Sequence, residues 1–374
     1  MRTRLAQRLT PEVVEAIRWS AVFVWVCALG VQIRLSGIPF DRESVILWLM
    51  GGAFALTIGR RAAWTVLVDW LPFALVLLAY DFARGASDTL GMPTWWTPQL
   101  NVDKFLFGGT EPTVWLQEHV KYAHAQWWDV VVTATYISFF LLPYVVAAVL
   151  WVRSRTDFHR WTGRFVSLSL FGFVLFALLP TAPPWAAARC TGPDVAAHPS
   201  SPACMGVSPA SVPSGGLLGR MTHHQQGALP YIERLSGRGW SELHLTAAQA
   251  LLAKGQATSN LVAAVPSLHA GGAMLLAIFL WRRIRKGWKL ALVAYNLAMA
   301  FSLVYAAEHY VSDILAGWLC AALVSLVFDY VERQRARGRW QVWRRGGSPG
   351  VDTLDAPTPA AARTTEPADA MMES

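Results

Sequence analysis

The sequence predicts an all-α, polytopic membrane protein with about eight transmembrane helices, and three observations lead to this prediction. Only 15% of the 374 residues are charged, whereas soluble globular chains carry about 25%. Apolar residues make up 54% of the chain, and they fall into runs close to the roughly 20 residues that cross a bilayer as a helix. Basic residues alternate in density between successive connections. A soluble nuclear or cytosolic role is therefore excluded.

Eight apolar runs mark the predicted transmembrane helices, of which the second and the fifth are short. A basic stretch precedes the first run, as it does in a secretory signal. Because no convincing small-residue cleavage site follows, we expect this run to remain as a signal anchor. The eight runs cover residues 19–33, 45–58, 63–80, 127–152, 165–179, 261–281, 290–307 and 314–331.

The distribution of basic residues predicts the topology, because lysine and arginine in short connections favour the cytoplasmic side. Most of the 32 lysines and arginines lie before the first run, after the last, or after the second, fourth and sixth runs. Both termini are therefore predicted to be cytoplasmic. Two long loops, residues 85–126 and 181–258, are predicted to be extracytoplasmic. This topology accounts for the net charge of +8, and no RNA-binding or zinc-finger motif indicates a nucleic-acid partner.

The same boundaries divide the chain into regions. Residues 1–84 contain the N-terminal transmembrane helices, and residues 85–126 form the first long loop. Residues 127–331 form a transmembrane core that includes the second long loop. Residues 332–374 combine a basic strip with a tail rich in Pro, Ala and Thr, which is predicted to be disordered. The basic strip either lies on the anionic inner leaflet or is a plain stop-transfer cluster.

Four cysteines are too few for a disulfide-dense scaffold. Cys190 and Cys204 lie in the second long loop, on the predicted oxidising side, where a disulfide is permitted. A bridge between them is favoured over two free thiols, and both alternatives stay open at this point. Cys27 and Cys320 fall within predicted helices and are expected to be ordinary buried residues.

Two motifs place ionisable residues at the ends of apolar runs, where they are costly and often functional. The first is PSLH at residues 266–269, and the second is HYVSD at residues 309–313. The chain crosses the membrane after His269, turns at a basic connection and returns to His309. At 1.5 Å per residue, residues 290–331 are too long for one straight helix across a hydrocarbon core about 30 Å thick. We therefore expect a turn near His309, on the same face as His269.

The spacing of the second motif suits catalysis. His309 and Asp313 are four residues apart, one helical turn, so that Asp313 can accept a hydrogen bond from the imidazole. Two imidazoles, one with its own carboxylate, match the needs of a covalent phosphoryl transfer. One histidine attacks phosphorus while the carboxylate fixes its tautomer. The other histidine protonates the departing oxygen.

These motifs resemble the second and third signature motifs of the type 2 phosphatidic acid phosphatase superfamily of membrane phosphatases and phosphotransferases. The similarity is closest to the branch of inositol phosphorylceramide synthases, the aureobasidin-sensitive fungal enzymes and their bacterial relatives. That branch also has a tyrosine four residues before the reactive histidine, a stretch like APPW at residues 182–185 and a segment like LFGG at residues 106–109. The resemblance covers about residues 100–330.

The resemblance implies specific roles. His309 would be the nucleophile, Asp313 its orienting partner and His269 the general acid. Ser267 would contribute to phosphate binding, and Tyr305 would bind substrate. The resemblance implies neither a cofactor nor a metal ion, and the histidines of the second long loop fit no zinc spacing.

The chain departs from the phosphatase branch at the cations that neutralise phosphate. It contains no Arg-Pro dipeptide, Leu303 occupies the position of an arginine, and Leu268 replaces the glycine of PSGH. Glu308 stands where the fungal branch tends to carry another histidine. Replacement cations must then come from the long loops, and the candidates are Lys104, Lys121, Arg189 and Lys254.

The predicted activity is transfer of a phospho-head group between a membrane lipid or polyprenyl phosphate and a polyol or sugar at the extracytoplasmic face. The alternative is a lipid phosphate or polyprenyl phosphate phosphatase with the same site of two histidines and an aspartate, in which water is the acceptor. A proton-coupled carrier fits less well, because it would show midplane charges and internal repeats. A glycosyltransferase acting on polyprenyl phosphosugars would need an acidic motif in its first outer loop, where Asp41 and Glu43 are present but form no motif. The sequence leaves the oligomeric state open.

Overall fold

The computed structural model describes residues 10–36, 42–86, 92–198, 200, 202–212, 214–243, 245, 249–250 and 261–337. The predicted tail and Lys254 lie outside the described residues. Within them the chain is helical, with two isolated bridges in place of a sheet. The α-helices used below are α1 (Pro11–Ser36), α2 (Arg42–Thr57), α3 (Ala63–Ala86), α4 (Pro98–Leu106), α5 (Pro112–Val120), α6 (Trp127–Arg153), α7 (Arg155–Leu178), α8 (Pro184–Ala187), α9 (Gly192–Ala197), α10 (Gly239–Glu242), α11 (Leu268–Leu280), α12 (Lys286–Tyr305) and α13 (Val311–Ala336).

Five helices in the described part of the chain, α1, α6, α7, α12 and α13, are long and apolar enough to cross a membrane. Three shorter apolar helices, Ser44–Thr57, Ala63–Val76 and Leu268–Leu280, lie at the other three predicted runs. The prediction of an all-helical protein with several membrane-spanning helices is confirmed at this level. The described residues as far as Phe328 belong to one compact unit that contains the site, and those from Asp329 onward belong to a second unit.

Helix α11 begins later than the predicted sixth run, which starts at residue 261. The segment before it pairs with Thr181, whose N–H donates to the carbonyl of Val262 at 2.6 Å and whose carbonyl accepts the N–H of Ala264 at 3.2 Å. Pro266 has no N–H, and the side chain of Ser267 accepts the N–H of Ala270 as an N-cap. The hydrogen bonds with Thr181 therefore make α11 shorter than the helix that hydropathy alone predicts.

Helix α7 is longer than the predicted fifth run, residues 165–179. It begins at Arg155, because the Ser154 side chain accepts the N–H of Asp157 at 3.2 Å and so supplies an N-cap. The first turns of α7 are mostly polar and exposed, but they reach the buried carboxylate of Asp69 on α3. There, Arg155 donates to both carboxylate oxygens of Asp69, at 2.7 and 2.5 Å.

Both long loops contain ordered helices. In the first long loop, α4 and α5 each begin with a proline, Pro98 and Pro112, at a position where the missing N–H costs nothing. In the second long loop, a disulfide joins Cys190 to Cys204 with an S–S distance of 2.02 Å. A buried cluster that includes Trp96, Trp185, Ile232, Val262 and Tyr310 packs the two loops against the start of α13.

Candidate active site

The two predicted motifs meet through their backbones. The N–H of Ser267 donates to the carbonyl oxygen of Asp313 at 3.0 Å. Beyond this bond, α11 and α13 approach closely at two glycines. A Cβ atom on Gly317 would lie 2.2 Å from the carbonyl oxygen of Ser267, and one on Gly271 would lie 3.0 Å from the carbonyl oxygen of Gly317. The missing side chains therefore allow the contact that brings PSLH beside Asp313.

His309 sits in the tight turn between α12 and α13. The N–H of Glu308 donates to Leu303 O at 2.9 Å, and the N–H of Ala307 donates to Val304 O at 3.1 Å. These two bonds form the Schellman pattern that ends a helix. Ala307 takes the left-handed position, with φ of 60°, a position that usually belongs to glycine. The turn fixes the backbone on which His309 stands.

Three successive carbonyl oxygens at the end of α12 accept hydrogen bonds from the long loops. The last carbonyls of a helix otherwise lack a partner. The donors are Gln117 Nε2 to Tyr305 O at 2.9 Å, Leu235 N to Ala306 O at 3.2 Å and Trp185 N to Ala307 O at 3.0 Å.

The imidazole of His309 faces a buried carboxylate. Its Nδ1 lies 3.5 Å from Asp313 Oδ2, and the two side chains are 8% and 0% exposed. This distance is at the outer limit of a hydrogen bond, as is common before substrate tightens a catalytic contact. The same oxygen accepts the N–H of Tyr310 at 2.9 Å, which fixes the carboxylate. With Nδ1 facing Asp313, Nε2 is the nitrogen available for chemistry.

His269 faces His309 across the site. The two ring centroids are 5.7 Å apart, with an interplanar angle of 57°. Three aromatic residues of α6 surround the His269 ring. The Tyr136 ring stacks on it with the ring centroids 4.8 Å apart, and the centroids of the Phe139 and Phe140 rings lie 4.2 and 5.6 Å from that of His269. One phosphate group can thus lie within reach of both imidazoles.

Ser267 and Tyr305, predicted to bind substrate, both make structural contacts. Ser267 is fully buried, and its Oγ accepts the N–H of Ala270 at 3.3 Å. Tyr305 is also fully buried; its hydroxyl donates to Asp129 Oδ1 at 3.0 Å, and its ring stacks on Phe301. Their roles toward substrate stay predictions.

The predicted lysines differ in their surroundings. Lys121 is buried, and its Nζ donates to Glu233 Oε2 at 3.0 Å and to Tyr231 O at 2.5 Å. Burial lowers the pKa of Lys121, and the charge of Glu233 offsets part of this effect. Lys104 is partly exposed on α4. Binding of phosphate by these lysines, or by Lys254, stays a prediction.

Arg189, the fourth predicted cation, lies near the reactive turn. Its guanidinium is 5.0 Å from the centre of the Trp185 ring, and Nη1 donates to Met205 O at 3.0 Å. Burial lowers the pKa of Arg189, and the neighbouring charge of Arg234 lowers it further. Arg189 therefore belongs to a cationic region of the second long loop.

Arg234 is a residue that the sequence did not single out. Its Nε and Nη2 donate to the two carboxylate oxygens of Glu308 at 2.8 and 2.7 Å, and its guanidinium lies 4.8 Å from the centre of the Trp185 ring. The departure at Glu308 is a signal that could have indicated a cationic partner, because a carboxylate that becomes buried needs a cation. Nothing local indicated which arginine supplies it.

Asp103 is a second residue that sequence reasoning missed. It is fully buried, and its two oxygens accept the N–H groups of Val311 and Ser312 at 2.7 and 2.9 Å. Burial raises the pKa of Asp103, and these N–H donors offset part of the rise. Asp103 thus caps, from the first long loop, the helix that carries Asp313.

Metal ligation is not evident in the part of the chain that the structure describes, where no group of three or more His, Cys, Asp or Glu side chains could hold an ion. His223 and His224, which the sequence left without a zinc pattern, are exposed. The arrangement near His309 combines an imidazole, a buried carboxylate and a second imidazole. It suits nucleophilic attack assisted by proton donation.

Comparison with known proteins identifies the family of the chain. The sequence model of the PAP2 superfamily matches residues 101–327. The chain is 24% identical over 269 residues to the phosphoinositol dihydroceramide synthase of Bacteroides thetaiotaomicron, covering 70% of this chain and 76% of that protein. It is 25% identical over 188 residues to the inositol phosphorylceramide synthase catalytic subunit aur1 of Schizosaccharomyces pombe, covering 50% of this chain and 36% of that protein. No solved structure matches the chain. The chain belongs to the PAP2 superfamily.

Proposed function

We propose that the protein is a membrane-embedded lipid phosphotransferase that moves a phosphoinositol-type head group from a lipid donor to a hydroxyl acceptor through a phosphohistidine at His309. Membership of the PAP2 superfamily and two synthase relatives make the chain an enzyme acting on lipid phosphoesters. The names of both relatives combine an inositol phosphate with a ceramide. They support an inositol-containing donor and a long-chain lipid alcohol as acceptor for this chain.

The observation that carries the proposal is the position of His309 between Asp313 and His269. Nδ1 faces the carboxylate at 3.5 Å, and the ring centroid lies 5.7 Å from that of His269. Asp313 favours the tautomer in which Nδ1 carries the proton and Nε2 carries the lone pair. The buried carboxylate also stabilises the cationic imidazole that forms on attack.

The reaction proceeds in two balanced steps. In the first, Nε2 of His309 bonds to phosphorus while the P–O bond to the lipid alcohol of the donor breaks, and His269 gives its proton to the departing oxygen. In the second, the acceptor hydroxyl gives its proton to His269 and attacks phosphorus, and the P–N bond breaks. Both histidines return to their starting protonation states.

The proposed topology has eight membrane crossings and cytoplasmic termini. Five long and three shorter apolar helices support the number, and the alternation of basic residues supports the sides. The site then faces the extracytoplasmic side, where both long loops pack around it. A phosphatase is the second candidate, since the first step is the same when water is the acceptor.

The test is to trap the covalent intermediate on purified full-length protein. A phosphoinositol lipid labelled in the phosphate is mixed with the protein, quenched rapidly and analysed by mass spectrometry. We expect an adduct on His309 in the wild type, none in His309→Ala, and normal adduct formation in the control His224→Ala, which alters an exposed histidine. Near-normal turnover by His309→Ala would overturn the proposal. Product analysis with ceramide present separates transfer from hydrolysis.

A further inference from the structure

Two arginines of the second long loop share one aromatic surface. The guanidinium groups of Arg234 and Arg189 lie 4.8 and 5.0 Å from the centre of the Trp185 ring. The nearby charge of Arg234 lowers the pKa of Arg189, so the two groups repel each other. With Glu308 included, the cluster carries one net positive charge. Such an arrangement favours an anion, and guanidinium groups match phosphate oxygens well.

Arg234 is linked to the surroundings of both histidines. Through Nε and Nη2 it binds Glu308, the residue before His309. Tyr136 also interacts electrostatically with Arg234, and the centroid of the Tyr136 ring lies 4.8 Å from that of His269, on which it stacks. One guanidinium therefore connects the segment that carries the nucleophile with the aromatic ring that supports the general acid.

Glu308 fixes the direction of the Arg234 guanidinium. The two-point contact holds the edge formed by Nε and Nη2, which is the geometry of a strong arginine–carboxylate pair. A guanidinium has five N–H donors, so the contact with Glu308 leaves further donors for phosphate oxygens. Burial lowers the pKa of Arg234, and the charge of Glu308 more than offsets this effect, so that the pKa is raised.

We propose that Arg234 binds the phosphate group that His309 attacks, with Arg189 as a second cation and Glu308 as the positioning residue for Arg234. This inference rests on the proposed function and deepens it, because it names the cations that replace the absent Arg-Pro motif. The single net charge of the cluster equals the single negative charge of a phosphodiester. The head-group linkage of a phospholipid donor is a phosphodiester of this kind.

The affinity for inorganic vanadate, a phosphate analogue, measures phosphate binding by Arg234 without any catalytic turnover. In calorimetric titrations of the purified full-length protein, we expect Arg234→Gln to weaken vanadate binding about 30-fold, as for the loss of a hydrogen bond to a charged group. Arg189→Gln should have a smaller effect. The control Arg220→Gln, which alters an exposed arginine of the same loop, should bind as the wild type does. Wild-type vanadate affinity in Arg234→Gln would overturn the proposal.

A double variant separates phosphate binding from a purely structural ion pair. Arg234→Gln leaves Glu308 buried without its cation, whereas Arg234→Gln/Glu308→Gln removes both charges together. We expect the double variant to regain thermal stability without regaining vanadate binding. Recovery of both would show that the pair only stabilises the fold and would overturn the assignment.

The wild-type protein provides a measurement that does not depend on how any variant folds. Arginine labelling by phenylglyoxal, mapped by mass spectrometry with and without vanadate, should show protection of Arg234. Equal labelling in both samples would contradict the assignment. Failure of the covalent mechanism is distinguishable: vanadate binding through Arg234 without an adduct on His309 would refute the mechanism and leave the assignment of Arg234 intact.

Discussion

Asp103 and Ser312 are 209 residues apart in the sequence, yet an Asp103 carboxylate oxygen accepts the backbone N–H of Ser312 at 2.9 Å. The other oxygen accepts the N–H of Val311 at 2.7 Å. The carboxylate therefore satisfies two N–H groups at the start of α13, where a helix has no internal partners for them. It sets the position of the turn between His309 and Asp313.

We expect Asp103→Ala to reduce kcat by about 10- to 100-fold, because a small displacement of a catalytic group is costly. The loss of the cap should lower the free energy of unfolding by about 1–2 kcal/mol. Asp194→Ala is the matched control, since Asp194 caps α9 through Thr191 but is exposed. Steady-state turnover and thermal unfolding measure the two effects. Lost stability with unchanged kcat would refute the positioning role.

Gly317→Ala should separate α11 from α13. The new Cβ atom would lie 2.2 Å from the carbonyl oxygen of Ser267, and relief of such overpacking typically costs about 1–3 kcal/mol. Because His269 and Asp313 stand on these two helices, kcat should fall as well. Gly287→Ala, with open space around the added atom, should leave activity unchanged. Equal behaviour of the two variants in unfolding and activity assays would argue against this contact.

The stability of the protein should depend on pH through Glu111. Burial raises the pKa of Glu111 from 4.5 to about 7, against the lowering effect of the N–H groups of Val114 and Thr113. A raised pKa in the folded state stabilises the fold below pH 4.5, and this contribution is lost as the pH rises through about 7.

Melting temperatures measured from about pH 5 to pH 8 should therefore fall in the wild type and fall less in Glu111→Gln. Glu242→Gln, which alters an exposed glutamate, should follow the wild-type curve. Parallel curves for the wild type and Glu111→Gln would disprove the assignment.

Activity should survive chelation by EDTA, and added magnesium or manganese should not increase it. In the proposed mechanism, side-chain cations and N–H donors stabilise the developing charge. An assay of head-group transfer before and after dialysis against EDTA tests this expectation. Activity that disappears with EDTA and returns with metal would favour a metal-dependent transferase instead.

Cys190 and Cys204 should be resistant to alkylation until reductant is added. The bridge closes a loop of about 15 residues, for which the chain-entropy model gives roughly 3 kcal/mol. Mass spectrometry of denatured protein should show two labels, on Cys27 and Cys320, without reductant and four with it. Four labels in the absence of reductant would exclude the bridge.

The sequence identifies His269, His309 and Asp313 as candidates because their pattern is local: a four-residue spacing and positions at the ends of apolar runs. The structure brings the three together. Arg234 and Asp103 could not be identified in this way, because their partners lie 74 and at least 208 residues away. Pairing over such distances depends on how the long loops fold, which hydropathy does not encode.

The helix lengths illustrate the same limit. The apolar run from residue 261 predicts a longer sixth transmembrane helix. Because Val262 and Ala264 form backbone hydrogen bonds with Thr181, the first residues of this run are not part of the helix. Periodicity locates an apolar helix along the chain. The residue at which it begins depends on caps and on contacts with distant segments.

Three carbonyls that end α12 accept hydrogen bonds from Gln117, Trp185 and Leu235. Because of these bonds, the long loops and the reactive turn cannot be replaced independently of each other. A chimera that takes its loops from a relative should keep activity only if the new loops again place donors on the carbonyl oxygens of Tyr305, Ala306 and Ala307. Leu235 and Trp185 donate through their main chains, so these two bonds depend on the path of the backbone. A one-residue insertion or deletion nearby would displace a donor and disturb His309 without changing any catalytic side chain.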